Sequence, residues 1–119
     1  MNLRLPESGS LVESLLNSLG RTVADAQAGS TVPGVTEPQL TTALDALVRG
    51  DIEFVVLEDG DDFLQAAGES PFALQHNDGK TSTMSAAAGG VDERTLRAAF
   101  SAYLHGDPRW RTLCRWDRM

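Results

Sequence analysis

Residues 51–90, which read DIEFVVLEDGDDFLQAAGESPFALQHNDGKTSTMSAAAGG, decide the expected fold. Apolar and polar residues alternate along much of this stretch, and Asp59-Gly60 and Asp78-Gly79 are residue pairs that tight hairpin turns favour. A third turn is indicated at Glu69-Ser70-Pro71. The sequence therefore predicts four antiparallel strands that follow one another as a meander: Ile52–Glu58, Asp62–Ala67, Phe72–His76 and Thr81–Ala86.

The first and last of these strands differ in the faces that they offer. In the first strand Phe54 and Val56 alternate with Val55 and Leu57, so both of its faces are apolar. This pattern predicts a central strand or one that is covered on both sides, and we expect Phe54 and Val56 to face the helices. The fourth strand is rich in Thr and Ser and is predicted to form an edge of the sheet.

Amphipathic helices are predicted on both sides of the meander, at residues 36–49 and 92–105. The segments that contain them, Val35–Asp51 and Val91–Asp107, share a valine before the capping residue, an apolar stripe and a terminal glycine. Each shared residue has a local role in starting, packing or ending a helix, and the sequences around the two segments do not repeat. We therefore interpret them as two similar helices packed on one face of the sheet, and not as a duplicated functional unit.

A further helix is predicted near the N-terminus. Ser10 and Glu13 have the form of a capping box, and apolar residues at helical spacing follow as far as Leu19. The expected fold is a single α+β domain over residues 1–119, with an N-terminal helix and loop in residues 1–34 and a helix-sheet-helix core with a Trp/Arg tail in residues 35–119. On this interpretation, deleting residues 1–30 leaves a folded domain.

Net charge and cysteine content restrict the kind of partner and the cellular compartment that we expect. A net charge of −7 argues against a broad nucleic-acid-binding surface, which requires a basic face. Cys114 is the only cysteine, so no internal disulfide can form and a reducing compartment is expected. We read neither a signal peptide nor a membrane span, and we expect a cytoplasmic protein that binds neither membrane nor nucleic acid.

Charge is distributed unevenly along the chain. Residues 1–78 carry a net charge of −10 and residues 79–119 a net charge of +3. The acids peak in one predicted hairpin, at Glu58, Asp59, Asp61 and Asp62. The bases peak in the tail, where arginine and tryptophan interleave at Trp110, Arg111, Arg115 and Trp116.

These eight residues are the candidate protein-binding site, because an acidic hairpin suits a basic partner, and Trp and Arg dominate interface energies. Two other interpretations stay open. The hairpin can be an ordinary solvated turn beside a tail whose tryptophans cover the core, or the tail arginines can pair with the hairpin acids inside the molecule.

Catalytic and metal-binding patterns are weak. The Gly79-Lys80-Thr81 triplet lacks the upstream glycine of a phosphate-binding loop, because Leu74 stands in its place. The two histidines and Cys114 have no zinc-binding spacing, and an apolar neighbourhood predicts an inert thiol. His76 with Asp78 is one candidate general base pair, and turn residues of this kind are usually polar for other reasons. His76 with the acidic hairpin is the other candidate, and it requires His76 and Asp62 to line one pocket. No catalytic residue, metal or cofactor is therefore expected.

The order LTTALDAL, FVVLEDGDDFLQAAGE and AAFSAYLHGD, followed by a closing Trp, resembles small bacterial proteins of unknown function over residues 36–119. It is also similar to immunity proteins that accompany polymorphic toxins in actinobacteria. The resemblance implies a non-enzymatic protein that neutralises a toxin by binding it. A secretion-chaperone-like protein and a small enzyme using His76 are the alternatives, and a homodimer stays open.

Overall fold

The computed structural model describes residues 1–6 and 31–119. Seven antiparallel strands form one sheet in the order β2-β1-β3-β4-β5-β6-β7. The strands are β1 Asn2–Arg4, β2 Thr31–Pro33, β3 Phe54–Asp59, β4 Asp62–Ala67, β5 Ala73–Asp78, β6 Thr83–Ala87 and β7 Trp116–Arg118. Helix α1 is Glu37–Val48, helix α2 is Glu93–Leu104, and a short 3-10 helix is Pro108–Thr112.

The expected four-stranded meander with three helices is wrong. The four predicted strands correspond to β3–β6, within two residues at each end, but three further strands extend the sheet on both sides. Each of these is three residues long, which is too short for alternation to stand out in the sequence. Because β7 pairs with β6, the Thr/Ser-rich strand is not an edge. The helix predicted at residues 10–19 lies outside the described residues.

Both helices begin at the capping residues that the sequence indicates. The Thr36 hydroxyl accepts from the Gln39 amide, and the Thr36 amide donates to the Gln39 side chain at 2.9 Å. Asp92 accepts from the Thr95 amide at 2.8 Å. The two helices also bind each other, since Arg97 forms an ion pair with Asp45 at 2.8 Å.

One row of paired residues shows how the helix-covered face changes across the sheet. On β2, β1, β3 and β4 the row consists of apolar residues that are 0–1% exposed: Val32, Leu3, Leu57 and Leu64. It then becomes polar towards β7, with His76, Ser85 and Arg118. The core therefore lies under the helices at the β1–β4 side, and polar groups take over where the 3-10 helix replaces them.

The face assignment of the first predicted strand is also wrong. Val55 and Leu57 are fully buried on the helix-covered face, whereas Phe54 and Val56 lie on the opposite face. With apolar residues on both faces, alternation does not say which set points inward. No helix in residues 1–6 and 31–119 has the length and apolar content that a membrane crossing requires.

Candidate functional site

A hydrogen-bond network forms around Asp62 at the start of β4. Its Oδ1 lies 2.9 Å from Nε2 of His76 and also accepts from the Tyr103 hydroxyl of α2. Its Oδ2 accepts from the Gly79 amide at 3.1 Å. Gly79 can approach so closely because it has no side chain: a Cβ there would lie 2.6 Å from the Asp62 backbone nitrogen. The network thus joins two hairpins and a helix.

The network sets the ionisation of Asp62 and Tyr103. Burial raises the pKa of the Asp62 carboxyl, but hydrogen bonds from Tyr103, His76 and Gly79 outweigh burial and hold that pKa below its ordinary value. Burial, followed by the hydrogen bond to Asp62, raises the pKa of the Tyr103 hydroxyl far above its ordinary value. Near neutral pH, Asp62 is therefore an anion and Tyr103 a neutral donor.

Aromatic rings enclose His76, which is only 6% exposed. Its ring centroid lies 4.4 Å from that of Trp110, 6.0 Å from that of Tyr103 and 6.5 Å from that of Trp116. Trp110 is placed there by the 3-10 helix, which Asp107 caps by accepting from the Arg109 amide at 3.0 Å. The tail therefore folds back onto the sheet and seals one side of the network.

An open cleft of about 470 Å³ lies beside the network, and we call it the acidic cleft. Its lining includes the carboxylates of the β3–β4 hairpin, two aromatic residues and two bases: Asp59, Asp61, Asp62, Tyr103, Trp110, Lys80 and Arg111. The hairpin and the tail are about fifty residues apart in the chain. The structure therefore brings two separately predicted features into one site.

A second cleft, of about 520 Å³, opens over β5 and β6 on the other side of Arg111, and we call it the cationic cleft. Its lining includes the residues His76, Thr81, Thr83, Ser85, Arg111 and Arg118, with Asp78 beside them. His76 and Asp62 are therefore hydrogen-bonded to each other but open into different clefts. Arg111 lines both.

Three of the predicted site residues lie away from the acidic cleft. Glu58 is on the opposite sheet face, where it forms an ion pair with Arg4 at 2.9 Å. Arg115 is exposed and lies 3.5 Å from the Asp117 carboxylate. Trp116 is half-buried, and within the described residues its buried indole N–H has no acceptor.

Trp110 does line the acidic cleft, but its side chain is only 7% exposed and belongs to the core cluster. Covering the core, which was one of the open interpretations, is thus its structural role. The interpretation that the tail arginines pair with the hairpin acids finds no support: within the described residues no tail arginine forms an ion pair with a hairpin acid. Arg109 and Arg115 pair instead with Asp107 and Asp117.

His76 bonds to Asp62 and not to Asp78, the partner that sequence proximity indicated. The sheet register explains this. His76 pairs with Leu64, so Asp62, two residues earlier, shares its face and lies diagonally across from it. Tyr103 lies in the apolar stripe of its helix, and nothing local in the sequence signals its bond to Asp62.

The described residues contain no group of three or more His, Cys, Asp or Glu side chains arranged to hold a metal ion. Burial raises the pKa of the Cys114 thiol, so this thiol is poorly reactive. Comparisons with protein-family models, with curated proteins and with solved structures found no match.

The Asp62 hydrogen bonds make stability depend on pH. Because the folded-state pKa lies below the ordinary value of 3.8, Asp62 contributes stability that is complete above pH 3.8 and is lost as the pH falls through the folded-state pKa. We expect the difference in free energy of unfolding between wild type and Asp62→Asn to shrink on acidification. Urea unfolding at several pH values measures it, with the exposed Asp61→Asn as the control. A difference that stays constant with pH contradicts the assignment.

Proposed function

We propose that this chain is a non-enzymatic protein-binding domain whose acidic cleft receives a basic segment of another protein. The observation that carries the proposal is the convergence of three hairpin carboxylates with Tyr103 and Trp110 in one open cleft. A net charge of −7 supports it, because an acidic surface draws a basic partner by long-range attraction.

The carboxylates are available to a ligand. Asp59 and Asp61 are exposed, and neither forms an ion pair within the part of the chain that the structure describes. A lysine or arginine side chain entering the cleft can bond to them while its cationic group lies near the aromatic walls. Asp62 differs from these two because it is already held by three intramolecular donors, so it shapes the cleft more than it binds.

The resemblance to immunity proteins supports a toxin as the partner, and a basic nuclease is the toxin class that fits an acidic cleft. In that role the protein occupies the toxin without chemistry of its own. A small enzyme using His76 is the second candidate, favoured by the 2.9 Å contact that orients the imidazole on Asp62. It is the weaker candidate because Asp62 and His76 line different clefts.

The test is a charge-neutralising pair of substitutions, Asp59→Asn with Asp61→Asn. We expect the melting temperature to change little, because exposed turn charges contribute little to stability. Association with a synthetic arginine-rich peptide should slow on the order of tenfold at low salt, and less at high salt, where screening weakens steering. Stopped-flow fluorescence at several salt concentrations measures the rate. Asp62→Asn is left out because that residue supports the fold.

The matched control is Glu53→Gln with Glu69→Gln, which removes the same charge from exposed positions at the opposite end of the β3–β4 hairpin. If both double variants bind the peptide equally fast, only net charge matters and the acidic cleft is not the binding site.

A further inference from the structure

The cationic cleft is built by the sheet register and is separate from the proposed protein-binding site. His76, Ser85 and Arg118 are direct partners across β5, β6 and β7, so they stand side by side on one face. Neighbouring strands are about 4.8 Å apart, which lets three adjacent side chains reach one small ligand. Arg111 approaches the same space from the 3-10 helix.

The two arginines of this cleft differ from their neighbours in the tail. Arg109 and Arg115 each have an aspartate within 3.6 Å, whereas Arg111 and Arg118 form no ion pair within residues 1–6 and 31–119. The Arg111 guanidinium is held over the Trp110 ring, 4.9 Å from its centroid. Two guanidinium groups that lack a carboxylate partner thus face one cleft in an otherwise acidic protein.

The hydroxyl groups of the cleft suit an oxyanion. Nε2 of His76 donates to Asp62, so Nδ1 can donate to a ligand only when the imidazole carries both protons. Ser85 and Thr83 add hydroxyl donors, whereas the Thr81 hydroxyl already donates to the Thr83 oxygen at 2.8 Å. Asp78 carries the opposing charge in the lining, and its Oδ1 accepts from the Lys80 amide at 2.9 Å.

We propose that the cationic cleft binds the phosphate group of a small phosphate monoester. Guanidinium groups match the geometry of phosphate oxygens through paired hydrogen bonds, and hydroxyl donors complete such sites. The cleft volume of about 520 Å³ falls within the range of small-molecule sites and leaves space for an organic group beyond the phosphate. This site goes beyond the proposed protein-binding function and does not depend on it.

The experiment is a set of titrations of the full chain with inorganic phosphate, glycerol 3-phosphate and acetate at constant ionic strength. NMR and calorimetry monitor binding in each titration. We expect saturable binding of both phosphates, tighter for the monoester, with shifts at His76 and Ser85 and none of comparable size with acetate. Arg118→Gln and Arg111→Gln should each weaken phosphate binding about tenfold, the effect of losing a charge-assisted hydrogen bond. The controls, Arg115→Gln and Arg109→Gln, remove neighbouring charges outside the cleft and should leave binding unchanged.

Arg111 separates this proposal from the protein-binding one because it lines both clefts. Arg111→Gln should weaken phosphate binding and strengthen binding of the arginine-rich peptide, since it removes a cation from beside the acids. The phosphate proposal is overturned if no saturable shift appears in the millimolar range, or if all four arginine variants weaken binding equally. Neither result would affect the peptide measurements.

Discussion

Deleting residues 2–5 is expected to unfold the protein. These residues contain β1, which lies between β2 and β3 and pairs with both. Leu3 and Leu5 are 0% and 2% exposed, and truncating a buried leucine to alanine alone costs roughly 2–5 kcal/mol. The free energy lost with both leucines and with the pairing of β2 is comparable to the whole free energy of unfolding of a small domain, roughly 5–15 kcal/mol. This replaces the expectation that residues 1–30 are dispensable.

Far-ultraviolet circular dichroism and two-dimensional NMR of the deletion variant measure this outcome. The matched control is Asn2→Ala with Arg4→Ala, which keeps the β1 backbone and changes only its exposed side chains. The control also loses the ion pair between the exposed Arg4 and the half-buried Glu58, but it keeps both buried leucines and the pairing of β1, so we expect it to stay folded. A deletion variant with native-like dispersed spectra would show that β1 is not part of the core sheet.

Replacing Trp110 by alanine is expected to lower the free energy of unfolding by about 3–5 kcal/mol. The indole is 7% exposed and contacts the rings of His76, Tyr103 and Trp116. Removing the indole leaves a cavity beside the Asp62 network, and the cost of that cavity adds to the lost burial. For a domain of this size, such a loss corresponds to a melting temperature lower by at least roughly 10 °C.

Leu113→Ala is the control, because this residue lies just after the 3-10 helix and its side chain is exposed. Differential scanning calorimetry and the peptide-binding assay on the same two variants distinguish the roles considered for the tail. If Trp110→Ala keeps its melting temperature and speeds peptide dissociation, the indole is an interface anchor and not a core residue.

Local sequence determined the elements whose signals are complete within a few residues. Asp59-Gly60 and Asp78-Gly79 indicated the β3–β4 hairpin and the turn after β5, and both observed helices begin after their indicated caps. These predictions succeeded because turn and cap preferences depend on backbone conformation and on hydrogen bonds between near neighbours. For the same reason the acidic hairpin and the Trp/Arg tail could be recognised as two features, but not as one site.

Tertiary structure alone decided which strands join the sheet, which face is buried and which polar groups meet. Strands of three residues are stable only when neighbours pair with them, so β1, β2 and β7 have no independent sequence signal. Val55 and Phe54 are both apolar, and only packing under the helices selected Val55 for the core. His76 meets Asp62 because of register, and Arg111 reaches both clefts because Trp110 fills the space beside the sheet. Each of these outcomes depends on contacts between distant residues, and local propensity carries no information about such contacts.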